Sequence, residues 1–190
     1  MQYESILEAA IDKTSSTPPD SDRVVAILLE KEKQQKQKNI CSLSDLLGTW
    51  NLRFITGTRK TRKRAGIILG AGRYIPRFIK IQIQYTAEDL ASNKGQVINS
   101  VKLSFLQISL TGPIKFIPQQ RILAFDFIYL KLSVGRFNLY QGYVKNDLQR
   151  NSDFYQQKLK NQAFFKYFLI EDNLIAARGK GGGLALWGRE

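Results

Sequence analysis

The chain has 190 residues and a formal net charge of +13, with 43% apolar and 24% charged residues. This composition is typical of a globular protein with a buried core, and it excludes a disordered chain. No apolar run approaches the roughly 18 residues that a membrane-spanning helix needs. Histidine is absent, which removes the commonest general base and the commonest metal ligand, so we predict no metal site and no cofactor.

Residues 1–45 are predicted to form a helical segment. Apolar residues recur at helical spacing over 3–13, and Pro18-Pro19 ends that pattern. Ser21 or Asp20 is a good N-cap for a second helix. That helix carries a wide apolar stripe: Val24, Val25, Ile27, Leu28 and Leu29. Since a stripe of this kind must be covered, we expect the helices to lie across one mouth or flank of the body that follows.

Residues 46–190 contain short alternating apolar runs that predict antiparallel strands. Trp50, Leu52 and Phe54 alternate with polar residues, and Ile79–Tyr85 gives the clearest strand pattern. Further strands are predicted at Val97–Phe105, at Leu106–Thr111 (ended by Gly112-Pro113), at Arg121–Ser133 and at Phe137–Val144.

The last quarter of the chain predicts an antiparallel meander. Its apolar runs are Phe164–Ile170, Leu174–Ala177 and Leu184–Trp187, and turn residues separate them. Because the first and the last predicted strands both carry large rings, the sheet can hide its edges by closing on itself. The sequence therefore predicts a mainly β protein, an antiparallel β-barrel with N-terminal helices packed on it.

The charge is unevenly placed. Residues 1–45 carry six basic and eight acidic side chains, whereas residues 46–190 carry twenty-three and eight. The densest cluster is Arg59, Lys60, Arg62, Lys63 and Arg64, which we predict to be an exposed loop. Such a cluster favours an anionic partner such as a membrane surface, although a solvated hairpin loop has the same sequence.

Both ends of the predicted barrel resemble the plastid lipid-associated protein (plastoglobulin, or fibrillin) family. The resemblance lies in Leu47–Trp50, in Glu171–Leu174 with Arg178-Gly179, and in the central Gly95–Val101. It implies a lipocalin-like barrel that holds a carotenoid, quinone or other lipid near thylakoid membranes or lipid particles. The closing motif departs from the family at three positions, where Leu169, Asn173 and Ile175 replace polar family residues.

We predict that Gly48, Trp50, Arg178 and Gly179 close one end of the barrel. Gly48 allows a sharp turn into the first strand, and the Trp50 indole plugs a small barrel. In lipocalins a late arginine covers a similar tryptophan, and Arg178 is placed to do so here through a cation–π contact.

The predicted ligand cavity is lined by one face of several strands. Its residues are Phe54, Ile81, Ile83, Tyr85, Val101, Leu103, Phe125 and Phe127. Asn99 shares this face and either bonds a neighbouring backbone or orients a ligand head group. A simply filled core would have the same sequence, and only the resemblance favours a hollow barrel.

Three classes of function follow. The leading one is non-catalytic binding of a lipid or other apolar small molecule, with a peripheral anionic membrane as partner and no transmembrane span. A second is a pigment-handling enzyme or chaperone, since bilin-attachment lyases share the lipocalin-like barrel; Cys41, Glu171 and Asp172 would then be the candidates. Nucleic-acid binding through the basic loop is disfavoured because the aromatic residues fall on buried strand positions.

The expected location follows from the resemblance and from the composition. The lone Cys41 suits a reducing compartment. The first twenty residues contain acids and no arginine, which fits neither a secretory signal nor a transit peptide. We therefore expect the cyanobacterial cytoplasm or thylakoid periphery, or the plastid stroma or plastoglobule in a eukaryote.

Overall fold

Eight antiparallel strands close into a barrel in the computed structural model of the chain, which describes residues 2–35, 41–57, 72–144 and 153–190. Its strands are β1 (Gly48–Thr56), β3 (Ile79–Asp89), β4 (Lys94–Leu103), β5 (Leu106–Ile117), β6 (Ile122–Phe125), β9 (Ala163–Ile170), β10 (Leu174–Gly179) and β11 (Leu184–Arg189). The ring runs β4-β3-β1-β11-β10-β9-β6-β5, and β5 pairs again with β4. The predicted barrel is confirmed.

Two helices pack on the outside of this barrel. They are α1 (Gln2–Ile11) and α2 (Ser21–Gln34), and the Asp20 carboxylate caps α2 by accepting from two backbone N–H groups. The stripe of α2 is buried against outward-facing residues of β1, β9, β10 and β11, so the helices lie on the flank of the barrel. A short 3-10 helix at Leu43–Leu46 places two leucines in the barrel interior instead.

In the part of the chain that the structure describes, three further strands lie outside the ring. The short β2 (Gly72–Tyr74) pairs with the end of β1, while β7 (Tyr129–Val134) and β8 (Phe137–Tyr143) form a hairpin on the first half of β5. The sheet therefore continues beyond the barrel on one side. We call this continuation, made of the distal parts of β3, β4 and β5 with β7 and β8, the sheet extension.

Two predicted strand boundaries are wrong, and both lie where β5 approaches the segment between β6 and β7. Gly112-Pro113 does not end a strand, because β5 runs through both residues. Arg121–Ser133 is not one strand, because its backbone leaves the sheet between β6 and β7. Gly112 on β5 lies against the segment that connects β6 to β7. A Cβ at Gly112 would overlap the carbonyl oxygen of Asp126, and the Ile128 N–H donates to the Thr111 carbonyl at 2.9 Å.

Among the described residues, no helix is both long and apolar enough to cross a bilayer. The predicted basic loop Arg59–Arg64 lies outside the described residues, so its role stays a prediction.

Candidate functional site

A ladder of aromatic rings runs through the barrel interior. Phe127 contacts Phe125 with ring centroids 5.3 Å apart, and Phe125 stacks on Phe165 at 5.0 Å. Phe165 in turn meets the edge of Trp187 at 5.4 Å. Trp187 is buried, whereas Phe125, Phe127 and Phe165 are only half-buried. The ladder thus leads from a packed core to a partly open end, which we call the distal end.

Below the ladder, two tyrosines cross the barrel. Tyr85 on β3 and Tyr167 on β9 stand four strands apart in the ring of eight, and their hydroxyls share a 2.7 Å hydrogen bond. Both side chains are fully buried, and burial raises the pKa of each well above the usual tyrosine value. Both hydroxyls therefore stay protonated, and the pair forms a neutral floor across the interior.

The structure brings most of the predicted cavity residues onto one continuous face. Ile83 and Tyr85 are buried in the interior core, and Phe125 and Phe127 pack against it. The same face continues toward the distal end through Ile81, Val101 and Leu103, since Ile81 pairs with Val101. These three side chains are more exposed than Ile83 and Tyr85. The half-buried Asn99 lies on this face opposite Ile83.

The prediction that Phe54 lines the cavity is wrong. The pairing of β1 with β11 shifts between Leu52 and Phe54, so that one extra residue, Arg53, is inserted. A bulge of this kind reverses the faces that follow it. Leu52 therefore faces the interior with Trp187, whereas Phe54 is buried outside the barrel against the helices and meets Tyr74 at 5.0 Å.

Sequence reasoning missed three interior rings, Phe165, Tyr167 and Trp187. All of them lie in the closing meander, and alternation within Phe164–Ile170 places Phe165 and Tyr167 on one face. That signal was available, but continuous apolar residues on both faces of β9 obscured which face points inward.

Trp50 and Arg189 close the barrel. The prediction that Arg178 covers Trp50 is wrong. The Arg189 guanidinium lies 4.1 Å from the Trp50 ring centroid and also donates to the backbone carbonyls of Leu47 and Asp172. Trp50 is fully buried and donates to the Leu46 carbonyl at 2.8 Å. Arg178 instead forms an ion pair with Glu32 of α2, on the outer side of the barrel.

The glycines predicted for closure differ in how strongly the backbone requires them. Gly48 has φ +110°, a conformation that favours glycine, and its Cα lies under the Arg189 side chain. Gly179 has no positive φ, and its N–H donates to the Gly183 carbonyl across the turn between β10 and β11.

A polar cleft of about 510 Å³ opens at the closed end. It is lined by Cys41, Ser44, Asp45, Arg121, Ile170, Glu171, Asp172 and Arg189. The three residues considered for pigment chemistry, Cys41, Glu171 and Asp172, thus meet in one place. However, burial raises the pKa of the Cys41 thiol, and a protonated thiol is a poor nucleophile.

No protein-family model matches this chain, and neither does any curated protein. A redesigned β-barrel of known structure is similar at 11% sequence identity and a TM-score of 0.39, over 80% of this chain and 99% of that chain. The fold assignment therefore rests on the strand pairing described above.

Proposed function

We propose that this protein binds an apolar ligand, a lipid, carotenoid or quinone-type molecule, without catalysing its conversion. The observation that carries this proposal is the half-buried aromatic ladder on the distal side of the Tyr85–Tyr167 floor. Ligand pockets are typically apolar and aromatic with few polar groups. Here Asn99 is a polar residue on the same half-buried face, placed to orient a head group.

The resemblance of the sequence to the plastid lipid-associated family supports the same class of ligand. It also suggests where the protein works, at the thylakoid periphery or on lipid particles of a cyanobacterium or a plastid. In this proposal, the five basic residues within 59–64 hold the protein on an anionic membrane.

Incubation of the pure protein with a total pigment and lipid extract tests the proposal directly. After gel filtration, we expect an apolar molecule to elute with the protein in a fixed molar ratio. Mass spectrometry and absorbance then identify it. Elution of the protein without any such molecule, over several extracts, would contradict ligand binding.

Phe125→Trp is expected to weaken uptake of the ligand while leaving the fold nearly as stable. Phe125 lies in the half-buried part of the ladder, so a larger ring fills open space rather than a packed core. The matched control is Phe116→Trp, because Phe116 is buried in the packed interior core. Overpacking should cost that variant about 1–3 kcal/mol of unfolding free energy. Thermal unfolding and ligand titration measure both effects.

An equally large loss of stability in both variants, with no ligand bound by the parent, would show that the barrel is filled along its whole length.

A second candidate function, a pigment-handling enzyme, is favoured by one observation, the meeting of Cys41, Glu171 and Asp172 in the cleft at the closed end. If it holds, Cys41→Ser and Glu171→Gln should each abolish conversion or transfer of an added bilin without changing ligand binding at the distal end. Unchanged activity in both variants would exclude this site.

A further inference from the structure

Three highly exposed phenylalanines lie at one edge of the sheet extension. Phe78, Phe105 and Phe137 have relative exposures of 71%, 68% and 76%. Each lies in, or directly beside, a tight turn: the turn before β3, the β4–β5 hairpin and the β7–β8 hairpin. Aromatic rings are costly to leave in water, so three of them at successive turns need an explanation.

The strand register places these turns side by side. One row of paired residues crosses the edge, from Ile79 to Leu103, Leu106, Val134 and Phe137. The Gly135 N–H donates to the Phe105 carbonyl at 2.7 Å, which ties the last two turns together. With strands about 4.8 Å apart, the row spans roughly 19 Å. We call it the phenylalanine edge.

An apolar sheet face connects this edge to the ligand site. Residues that share the face of the cavity wall continue along the extension through Ile81, Ile108 and Leu132. Part of this face is open to solvent, since Leu103 and Ile108 are exposed. The opposite face carries polar residues such as Lys102, Gln107 and Lys131. The extension is therefore amphipathic, and its apolar side leads into the distal end of the barrel.

The charged residues around the phenylalanine edge are all basic, which favours an anionic partner. The segments 76–84, 98–111 and 128–144 contain five basic residues and no acidic residue. Lys80 is paired with Glu190, and Arg77 donates to the Ser15 carbonyl. Lys102, Lys131 and Arg136 are exposed, and no carboxylate of the described residues pairs with them. Aromatic rings flanked by cations match the chemistry of an anionic bilayer surface, where rings enter the interface and cations meet the head groups.

We propose that the phenylalanine edge docks onto an anionic lipid surface, with Phe78, Phe105 and Phe137 entering the interface. This deepens the proposed function, because it supplies a path from a membrane to the distal end of the barrel. A second copy of the chain is a poorer occupant. An edge-to-edge contact would bring the same exposed cations, Lys102, Lys131 and Arg136, close to their own copies, and like charges repel.

The test is flotation of the full chain with vesicles of phosphatidylcholine and phosphatidylglycerol in equal parts, compared with pure phosphatidylcholine. The first variant replaces Phe78, Phe105 and Phe137 by serine. Its matched control is Leu90→Ser, because Leu90 is 53% exposed but lies in the turn at the other end of β3. The second variant is Lys102→Gln with Arg136→Gln, matched by Arg23→Gln with Lys33→Gln on α2.

We expect the triple phenylalanine variant to need at least about tenfold more anionic lipid for half-binding, and the charge variant about fivefold more per charge removed. Both controls should bind like the parent, and pure phosphatidylcholine should bind weakly. Loss in the charge variant alone would overturn the proposal and indicate a polyanion such as nucleic acid. A parent that does not float, or dimerisation that the phenylalanine variant abolishes, would also overturn it.

Titration of a water-soluble fluorescent fatty acid without vesicles separates the two proposals. It reports the barrel site, so the triple phenylalanine variant should bind the fatty acid normally and Phe125→Trp should not. Thermal unfolding verifies that each variant is folded. If the triple variant loses stability as a core substitution would, these rings are core residues and the docking proposal fails.

Discussion

At the scale of single residues, the closed end depends on which arginine covers Trp50. Arg178 and Arg189 both lie on strands of the closing meander, and the tertiary structure shows that Arg189 is the one over the Trp50 ring. Arg189 is directly opposite Trp50 in the β1–β11 pairing, whereas Arg178 faces α2 and Glu32. Arg189 therefore links β11 to β1 at the closed end, whereas Arg178 links the barrel to α2.

Arg189→Met is expected to lower the free energy of unfolding by about 1–2 kcal/mol, because an exposed cation–π contact and carbonyl hydrogen bonds are lost. It should also change the tryptophan fluorescence and near-ultraviolet circular dichroism of the folded state. Arg178→Met is the matched control. It should lose no more than about 1 kcal/mol and leave both tryptophan signals unchanged. The reverse pattern would restore Arg178 as the partner of Trp50.

At the scale of elements, β5 determines how the sheet divides between barrel and extension. Its first half pairs with β7 and its second half with β6, so one strand belongs to both parts. Gly112 lies where the partner changes, close to the Asp126 carbonyl. This close approach of two backbones explains why glycine is needed inside a strand.

Gly112→Ala should lower the free energy of unfolding by more than about 2 kcal/mol, because a Cβ would collide with backbone that cannot rotate away. Gly142→Ala on β8 is the control, since the atom closest to a Cβ there is the Tyr140 hydroxyl oxygen at 3.1 Å, the end of a flexible side chain. Chemical denaturation measures both. Equal stability of the two variants would mean that the close approach of Gly112 to Asp126 does not constrain β5.

At the scale of the whole molecule, charge and apolar surface are arranged asymmetrically. Residues 1–45 have a slightly negative net charge, whereas residues 46–190 carry twenty-three of the twenty-nine basic residues. A net charge of +13 raises the rate and the strength of encounters with anionic surfaces, and salt weakens both.

Replacing Arg59, Lys60, Arg62, Lys63 and Arg64 by glutamine lowers the net charge from +13 to +8. We expect this variant to leave anionic vesicles at a salt concentration that the parent tolerates, since each charge near a membrane contributes roughly 1 kcal/mol. The control replaces the four lysines within residues 31–38 and should retain the binding of the parent. Flotation over a salt series measures the effect; identical curves for loop variant and parent would show that the loop only aids solubility.

The class of the fold could be predicted from local sequence patterns. Strand alternation, turn residues and large rings at both ends of the barrel predicted closure, and the apolar stripe preceded by a cap at Ser21 or Asp20 predicted α2. These signals are local, because a strand repeats every two residues and a helix every 3.6. The same alternation placed Ile83, Tyr85, Phe125 and Phe127 correctly in or against the interior.

The contacts between distant residues could not be predicted in this way, because they depend on how the strands pair. The bulge at Arg53 moved Phe54 to the outer face, and the ring order brought Tyr85 and Tyr167 together across the barrel. It also set Arg189 over Trp50 and aligned three phenylalanine turns along one edge. A bulge shifts the phase of a strand without changing its pattern, and the partner of a strand depends on residues far away in the chain. Local periodicity therefore fixes the elements, whereas pairing across the sheet fixes the site.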